Sequence, residues 1–145
     1  MATQKQIDYI LKRMESANPS DCFKEVDLIR AGIGAVLRLL HDAGQGVSAG
    51  TISDTLRVST ARVAVILKKM ATKGLITREQ DALDGRVTLV TLTESGEKAY
   101  RDMRAELCEK LSVVIDAVGE ERLLTFIAVA EEISAALAKS EDADQ

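Results

Sequence analysis

The chain has 145 residues and a formal net charge of −4, with 46 % hydrophobic and 3 % aromatic residues. This length suits a single domain spanning residues 1–145, and the hydrophobic content allows a core without disulfides or a metal. No apolar run approaches the ~20 residues needed to cross a bilayer, and the first residues lack the apolar block of a signal peptide. We therefore expect an intracellular, cytoplasmic protein with no membrane partner.

The negative charge is unevenly distributed along the chain. Residues 97–145 contain six Lys/Arg and twelve Asp/Glu, whereas residues 47–96 contain seven and five. The middle of the chain is therefore mildly basic, and the net charge neither favours nor excludes a nucleic-acid partner.

Histidine and cysteine are too scarce for most catalytic sites. The single histidine, His41, excludes a zinc site built on several histidines, and near a helix end it is expected to be a solvated capping group. Cys22 and Cys108 are expected to be free thiols, although a peroxide-sensing role for Cys22 stays open. Because no nucleophile, base and oxyanion donor occur together, we expect no enzymatic activity, no cofactor and no metal site.

Apolar residues at helical spacing predict two helices before Gly44. The first covers about residues 4–16, and the segment ANPSD ends it. The spacing resumes at Val26 and continues to Ala43, with Gly44 positioned to cap the helix end.

A helix-turn-helix pattern follows. Val47 can form a very short strand, and Ser48 can cap a helix that continues to Leu56. The segment LRVS turns the chain, and Ser59 can cap a second, longer helix. One face of this longer helix is apolar and is expected to be buried: Val63, Ile66, Leu67 and Met70.

After Gly74 the pattern changes from helix to strand. The segments LITREQ and VTLVTL are rich in β-branched residues, and DALDG between them supplies turn residues. They predict a β-hairpin with a tip of about five residues. Thr93 can then cap a long helix that Gly119 ends, and a last amphipathic helix completes the order.

The outer face of the helix after Ser59 is unusual for a surface that meets only water. At about 100° per residue, the residues opposite the apolar face are Ala61, Val65, Lys68 and Thr72, with Arg62 and Lys69 on the flank. A major groove admits a helix whose leading side chains are short, since apolar atoms can contact thymine methyls and cations can reach phosphate or guanine. The pattern favours DNA as the partner, with a helix packed between two layers or a solvated surface as the alternatives.

The predicted hairpin tip carries Asp84 and Arg86. On an extended chain both side chains point the same way, so an ionised Asp84 can hold the Arg86 guanidinium by charge-assisted hydrogen bonds. A preorganised arginine on a narrow β-tip fits the minor groove. The alternative is a surface ion pair worth ~0–1 kcal/mol.

Four marks occur in order along residues 47–100: VSTAR, KGLI, the D-x-R of Asp84 and Arg86, and LVTLTESG. Together they resemble the winged helix-turn-helix of the MarR family of transcriptional regulators. The resemblance implies a mainly α fold with a small β-wing (α+β), with the DNA-binding lobe at residues 47–96. Dimerisation helices are implied at residues 1–30 and 97–140.

The resemblance also implies a function and a set of contacts. The function is a homodimer that binds a palindromic operator in double-stranded DNA as a repressor and is released by a small phenolic or lipophilic effector or by an oxidant. At matching positions, the DNA contacts would come from Ser59, Thr60, Ala61, Arg62 and Lys69, with Arg86 on the wing and Asp84 holding it. Val65 and Lys68 on the outer face complete the candidate site.

Three departures from the family pattern weaken this expectation. Arg57 stands in a turn where the family often has Gly, and Ala64 and Val65 replace a hydroxyl and a basic residue that many members have. Gly85 stands where a second basic residue is common at the wing tip. We therefore expect modest affinity, or a sequence preference that depends on thymine methyls and DNA shape. The alternative function is a winged-helix protein-interaction module with weak or no DNA binding.

Overall fold

A computed structural model describes residues 3–17 and 31–142. Six helices and three strands lie in these ranges: α1 (Gln4–Ala17), α2 (Gly32–Ala43), β1 (Val47–Ser48), α3 (Ala49–Leu56), α4 (Thr60–Thr72), β2 (Ile76–Gln80), β3 (Thr88–Leu92), α5 (Glu94–Val118) and α6 (Glu120–Asp142). The predicted order of elements is confirmed over these ranges. The predicted helix start at Val26, the ANPSD segment and Cys22 fall outside the described residues.

The chain divides into two compact units, Met1–Arg104 and Ala105–Gln145, and α5 contributes to both. The first unit contains a three-stranded antiparallel sheet with the order β1-β3-β2. In this sheet Val47 pairs with Val90, and the hairpin register runs from Ile76 opposite Leu92 to Gln80 opposite Thr88.

The core of the first unit lies where α2, α3, α4 and the sheet meet. Its largest fully buried side chains are Ile52, Met70, Val36, Val63 and Val90. The predicted inner face of α4 is confirmed by side chains that are at most 8 % exposed: Val63, Ile66, Leu67 and Met70. Since burying a side chain of this size stabilises the fold by ~1.5–3 kcal/mol, this face fixes the rotation of α4 about its axis.

Helix ends follow the capping residues that the sequence indicates. The Ser48 hydroxyl accepts from the Thr51 N–H at 3.0 Å, and the Ser59 hydroxyl accepts from the Arg62 N–H at 3.2 Å. The Thr93 hydroxyl accepts from the Gly96 N–H at 3.0 Å. Each bond satisfies an N–H that the helix itself leaves without an acceptor, so α3, α4 and α5 begin where the sequence predicts.

His41 does more than the solvated capping role predicted for it. Its Nδ1 lies 2.7 Å from Oε2 of Glu97, and its ring stacks on Tyr100 with centroids 4.1 Å apart. Glu97 and Tyr100 lie in the first turns of α5, so His41 joins the end of α2 to the start of α5. A separation of 56 residues along the chain hides this pair from any local sequence pattern.

The first and last helices expose apolar surface. In α1, large apolar side chains such as Ile10 and Met14 are exposed, and none of its residues is buried. In the second unit, α6 exposes Leu124, Val129 and Ile133, each by 46–57 %. In the region of the chain that the structure describes, no helix has the length and apolar character to cross a membrane.

Two helical glycines give a matched test of the packing in the first unit. Gly96 is buried where α5 begins, and a Cβ there would overlap the backbone carbonyl oxygen of Leu75. Gly50 lies in α3, and a Cβ there would meet only the Ser48 hydroxyl, at 3.8 Å. We expect Gly96→Ala to lower the free energy of unfolding by ~2 kcal/mol or more, because a backbone atom must move.

The control Gly50→Ala should be neutral or stabilising by up to ~1 kcal/mol, since alanine favours a helix over glycine. Urea denaturation of both variants measures the difference. Equal stability of the two variants would contradict the close packing of α5 on Leu75.

Candidate nucleic-acid interface

The outer face of α4 is open to solvent. With its inner face packed on the core, the other candidate residues of this segment are all exposed: Ser59, Thr60, Ala61, Arg62, Val65, Lys68 and Lys69. Val65, at the centre of this face, is 61 % exposed. The structure therefore brings seven of the nine predicted site residues together on one helix and its cap.

The turn between α3 and α4 is fixed by hydrogen bonds. The Ser53 hydroxyl, which is buried, donates to the Val58 carbonyl at 2.6 Å, and the Val58 N–H donates back to the Ser53 carbonyl at 3.2 Å. Arg57 caps α3 in the left-handed conformation, with φ 54° and ψ 44°. Within residues 3–17 and 31–142 it is the one non-glycine residue with positive φ. This turn sets the direction in which α4 leaves α3, and it carries strain at Arg57.

The wing formed by β2 and β3 ends in a tip of five residues, 82–86, enclosed by Asp81 and Val87. The predicted length of about five residues agrees, but the predicted segment DALDG lies one residue earlier, at residues 81–85. The Asp81 N–H donates to the Val87 carbonyl at 2.9 Å and closes the tip at its base. Inside it, the Val87 N–H donates to the Asp84 carbonyl at 2.9 Å, and the Leu83 N–H donates to Oδ1 of Asp81 at 2.9 Å. The tip is thus a hydrogen-bonded turn with a defined backbone.

Asp84 does not hold the Arg86 guanidinium as predicted. Its Oδ1 accepts from the Arg86 backbone N–H at 3.0 Å, and these two described residues form no ion pair. The prediction assumed an extended chain, whereas the tip is a turn in which an aspartate carboxylate reaches the N–H two residues later. Asp84 therefore fixes the backbone of Arg86, and the Arg86 side chain is exposed.

The cations of this surface have no counter-ions among the described residues. The ion pairs that these residues form include Lys98 with Asp102 and Lys110 with Glu106, both on α5 and outside α4 and the wing. Within the described ranges, no carboxylate pairs with Arg62, Lys68, Lys69 or Arg86. These four cations can therefore bind an external anion without breaking an ion pair to any described residue.

Leu83 is a feature of the tip that the sequence analysis missed. It is 98 % exposed, and the other strongly exposed large apolar side chains of the described residues lie on helices α1, α4, α5 and α6. Apolar periodicity cannot identify such a residue, because a five-residue tip has no period. The only available signal is the leucine between two aspartates in DALDG.

An open groove lies beside the base of the wing. Its volume is about 540 Å³, and its lining includes Leu39, Val47, Thr51, Asp81 and Leu89. The groove thus combines apolar side chains with one carboxylate at the point where the wing joins the helices.

Among the described residues, no group of three or more His, Cys, Asp or Glu is arranged to hold a metal ion.

Comparisons with known proteins find a family and a curated relative that resemble this chain. Residues 34–87, which include α3, α4 and most of the wing, match the family model described as MarR family. The HTH-type transcriptional regulator FarR of Neisseria gonorrhoeae is 32 % identical over 78 residues, which is 54 % of this chain and 51 % of FarR. The chain therefore spans about half the length of the curated relative that it matches.

Solved structures share the fold over nearly the whole chain. A MarR family transcription regulator superposes with a TM-score of 0.75 at 20 % identity, covering 93 % of this chain and 94 % of that one. The DNA complex of MepR from Staphylococcus aureus has a TM-score of 0.63 at 20 % identity, covering 94 % and 99 %. YusO from Bacillus subtilis has a TM-score of 0.63 at 19 % identity, covering 96 % and 99 %. The predicted winged-helix fold and the resemblance to the MarR family are both confirmed.

The left-handed turn at Arg57 gives a prediction about stability. A non-glycine residue in this conformation costs ~1–2 kcal/mol, and glycine removes that strain while losing more entropy on folding. We expect Arg57→Gly to raise the free energy of unfolding by up to ~1 kcal/mol. The matched control Arg62→Gly, inside α4, should lower it by ~1 kcal/mol. Chemical denaturation of both variants measures the two changes, and destabilisation by Arg57→Gly would show that this turn is unstrained.

Proposed function

We propose that this protein, whose residues 34–87 match the MarR family, is a homodimeric regulator that binds double-stranded DNA and represses transcription. The observation that carries the proposal is the outer face of α4. Small apolar groups occupy its centre, and cations without counter-ions among the described residues occupy its flank and end. Residues 47–96 would form the DNA-binding lobe of the domain.

In this proposal α4 enters a major groove. Ala61 and Val65 are short enough to let the helix backbone approach, and their methyl groups suit the methyl of thymine. Arg62, Lys68 and Lys69 would reach phosphate or guanine. Ser59 and Thr60 lie at the helix N-terminus, where backbone N–H groups and the helix dipole favour a phosphate.

The wing would reach the neighbouring minor groove. There the exposed Arg86 would enter the negative potential that narrow A·T tracts concentrate. Asp84 contributes by holding the backbone of Arg86 in the tip. The Asp84 carboxylate accepts from that backbone N–H and forms no ion pair with the Arg86 guanidinium, which is left to meet the DNA.

The terminal helices would form the dimer. Residues 1–30 and 97–140 contain α1, most of α5 and nearly all of α6, and exposed apolar residues lie along each of these helices. A second copy of the chain offers a matching apolar surface. Residues 97–145 have twelve acidic and six basic residues, so the dimer-forming end would be kept away from phosphate while the lobe approaches it.

A small phenolic or lipophilic molecule would release the DNA. The groove at the wing base has a volume of about 540 Å³, within the range usual for ligand pockets, ~300–1,000 Å³. A ligand between Leu39 and Leu89 would contact both a helix and the wing. It could therefore change the wing position that DNA binding requires.

Arg86 provides the sharpest test of DNA binding. We expect Arg86→Ala to weaken binding to the protein's own upstream DNA by ~1–3 kcal/mol with an unchanged melting temperature, since the side chain is exposed. The affinity of Arg86→Lys should lie between those of wild type and Arg86→Ala, because lysine keeps the charge but loses the planar fork of the guanidinium. The control Lys139→Ala removes one exposed cation at the far end of α6 and should leave binding unchanged.

The salt dependence separates DNA binding from the alternative function. If a dimer contacts ~6 phosphates, log K should fall with log salt at a slope of roughly −5 in a mobility-shift titration. A flat dependence of log K on log salt, or no binding at low salt, would support the protein-interaction module instead.

Equal loss of folding and binding in Arg86→Ala would make Arg86 a structural residue.

A carboxylate placed on the apolar side of α6 or on the outer face of α4 should show that dimer formation and DNA binding depend on different surfaces. Ile133→Glu places a carboxylate on the exposed apolar side of α6, and we expect it to convert the dimer to a monomer. Val65→Glu makes the same kind of change on α4 and should abolish DNA binding while the protein stays dimeric. Sedimentation equilibrium measures whether each variant is a monomer or a dimer. A dimer that persists in Ile133→Glu would place the interface elsewhere.

A further inference from the structure

We propose that Leu83 inserts into the minor groove as an apolar wedge and determines which base steps the wing accepts. The inference rests on the proposed function, because it assigns a role in DNA binding to a residue outside the predicted site. It starts from the exposure of Leu83, which at 98 % exceeds that of every other strongly exposed large apolar side chain in the described residues.

Leu83 has no role in the fold that would explain an apolar side chain. It lies beyond the end of the hairpin, where Gln80 pairs with Thr88. Val90, the buried core residue of β3, lies opposite Arg78, and Leu83 lies five residues beyond Arg78 along the chain. A leucine that is 98 % exposed buries almost nothing and adds almost nothing to folding stability.

The exposed apolar residues of the terminal helices have a simpler explanation than Leu83 does. In α1 and α6 they recur along a helix, as residues do when two helices pair. Leu83 stands alone on a narrow turn, with Ala82 on one side and Asp84 on the other. A narrow tip that ends in one apolar side chain can enter a groove, whereas it offers little contact area to a flat surface.

The backbone on both sides of Leu83 is fixed before any partner arrives. Asp81 accepts from the N–H of Leu83 itself, and Asp84 accepts from the N–H of Arg86. A hydrogen bond from the Val87 N–H to the Asp84 carbonyl closes the turn. Because these local bonds already order the tip, insertion would immobilise little more than one side chain.

The neighbouring charge identifies this groove as a DNA minor groove. Arg86 lies three residues after Leu83 in the same turn, and its guanidinium has no ion pair with a described residue. An arginine is drawn into a narrow minor groove, and an apolar side chain beside it can separate stacked bases and kink the duplex. Pyrimidine–purine steps such as TA and CA unstack most easily, so Leu83 would favour them where the wing binds.

The experiment compares the duplexes that different variants select. Full-length wild type, Leu83→Ala, Leu83→Met and the control Ala82→Ser each select from one library of random-sequence duplexes. Affinity and bend angle are then measured, by titration and by energy transfer between end labels, on the best wild-type duplex. A second duplex carries GG in place of the enriched step under the wing.

We expect wild type, Leu83→Met and Ala82→Ser to enrich a TA or CA step outside the sequence read by α4. Wild type should bind the enriched duplex about tenfold more tightly than the GG duplex, and Leu83→Ala should reduce this ratio to within about twofold. Leu83→Ala should also bend the duplex less, while it still selects the same central sequence and keeps the wild-type melting temperature.

Two other results have different meanings. If wild type and Leu83→Ala enrich the same flanking steps and bend DNA equally, Leu83 is not a wedge, and the proposed function stands without it. If wild type enriches no duplex at all, the proposed function fails and this inference fails with it.

Discussion

The burial of the inner face of α4 in the core, to which Ile52 and Val90 also belong, is the interaction on which the rest of the molecule depends. Val63 and Met70 on the inner face of α4 are completely buried, as is Ile52 on α3. Burial of this face fixes the helix rotation, and the rotation decides which residues remain outside. A shift of one residue, about 100°, would bury Val65 or Lys68 and expose a leucine or methionine. The cationic outer face is therefore a consequence of the core.

Short hydrogen bonds then set the two elements that carry the proposed site. The buried Ser53 fixes the turn into α4, and the carboxylates of Asp81 and Asp84 fix the wing tip. In each case a polar side chain bonds to the backbone rather than to another side chain. Within the described ranges, the side chains of Arg62, Lys69 and Arg86 form no ion pair. Rigid backbone with free cations is what a phosphate-rich partner requires.

Most of the fold could be predicted because its signals are local. Ser48, Ser59 and Thr93 cap helices through bonds to the backbone N–H three residues later, and the inner face of α4 follows from helical spacing alone. The surface of α4 could also be predicted, since the residues that leave the core are known once the inner face is known. These features need no information about distant regions of the chain.

The features that could not be predicted depend on distant contacts or on irregular backbone. His41 meets Glu97 across 56 residues, so its neighbours in sequence give no sign of the pair. The Asp84 prediction failed because it treated a turn as a strand, and the bond went to a backbone N–H instead of a guanidinium. Leu83 went unnoticed because a single apolar residue in a tip has no periodic pattern. All three depend on geometry that exists only after folding.

Hydroxyl-radical footprinting of the wild-type protein, on the duplex that it selects most strongly from a random library, tests the central claim most directly. If two copies of α4 and the wing contact the duplex symmetrically, two protected segments should lie one helical turn, about 10 bp, apart, with further protection where each wing meets a minor groove. A single protected segment, or none at concentrations that saturate binding, would contradict a symmetric pair of winged lobes on DNA.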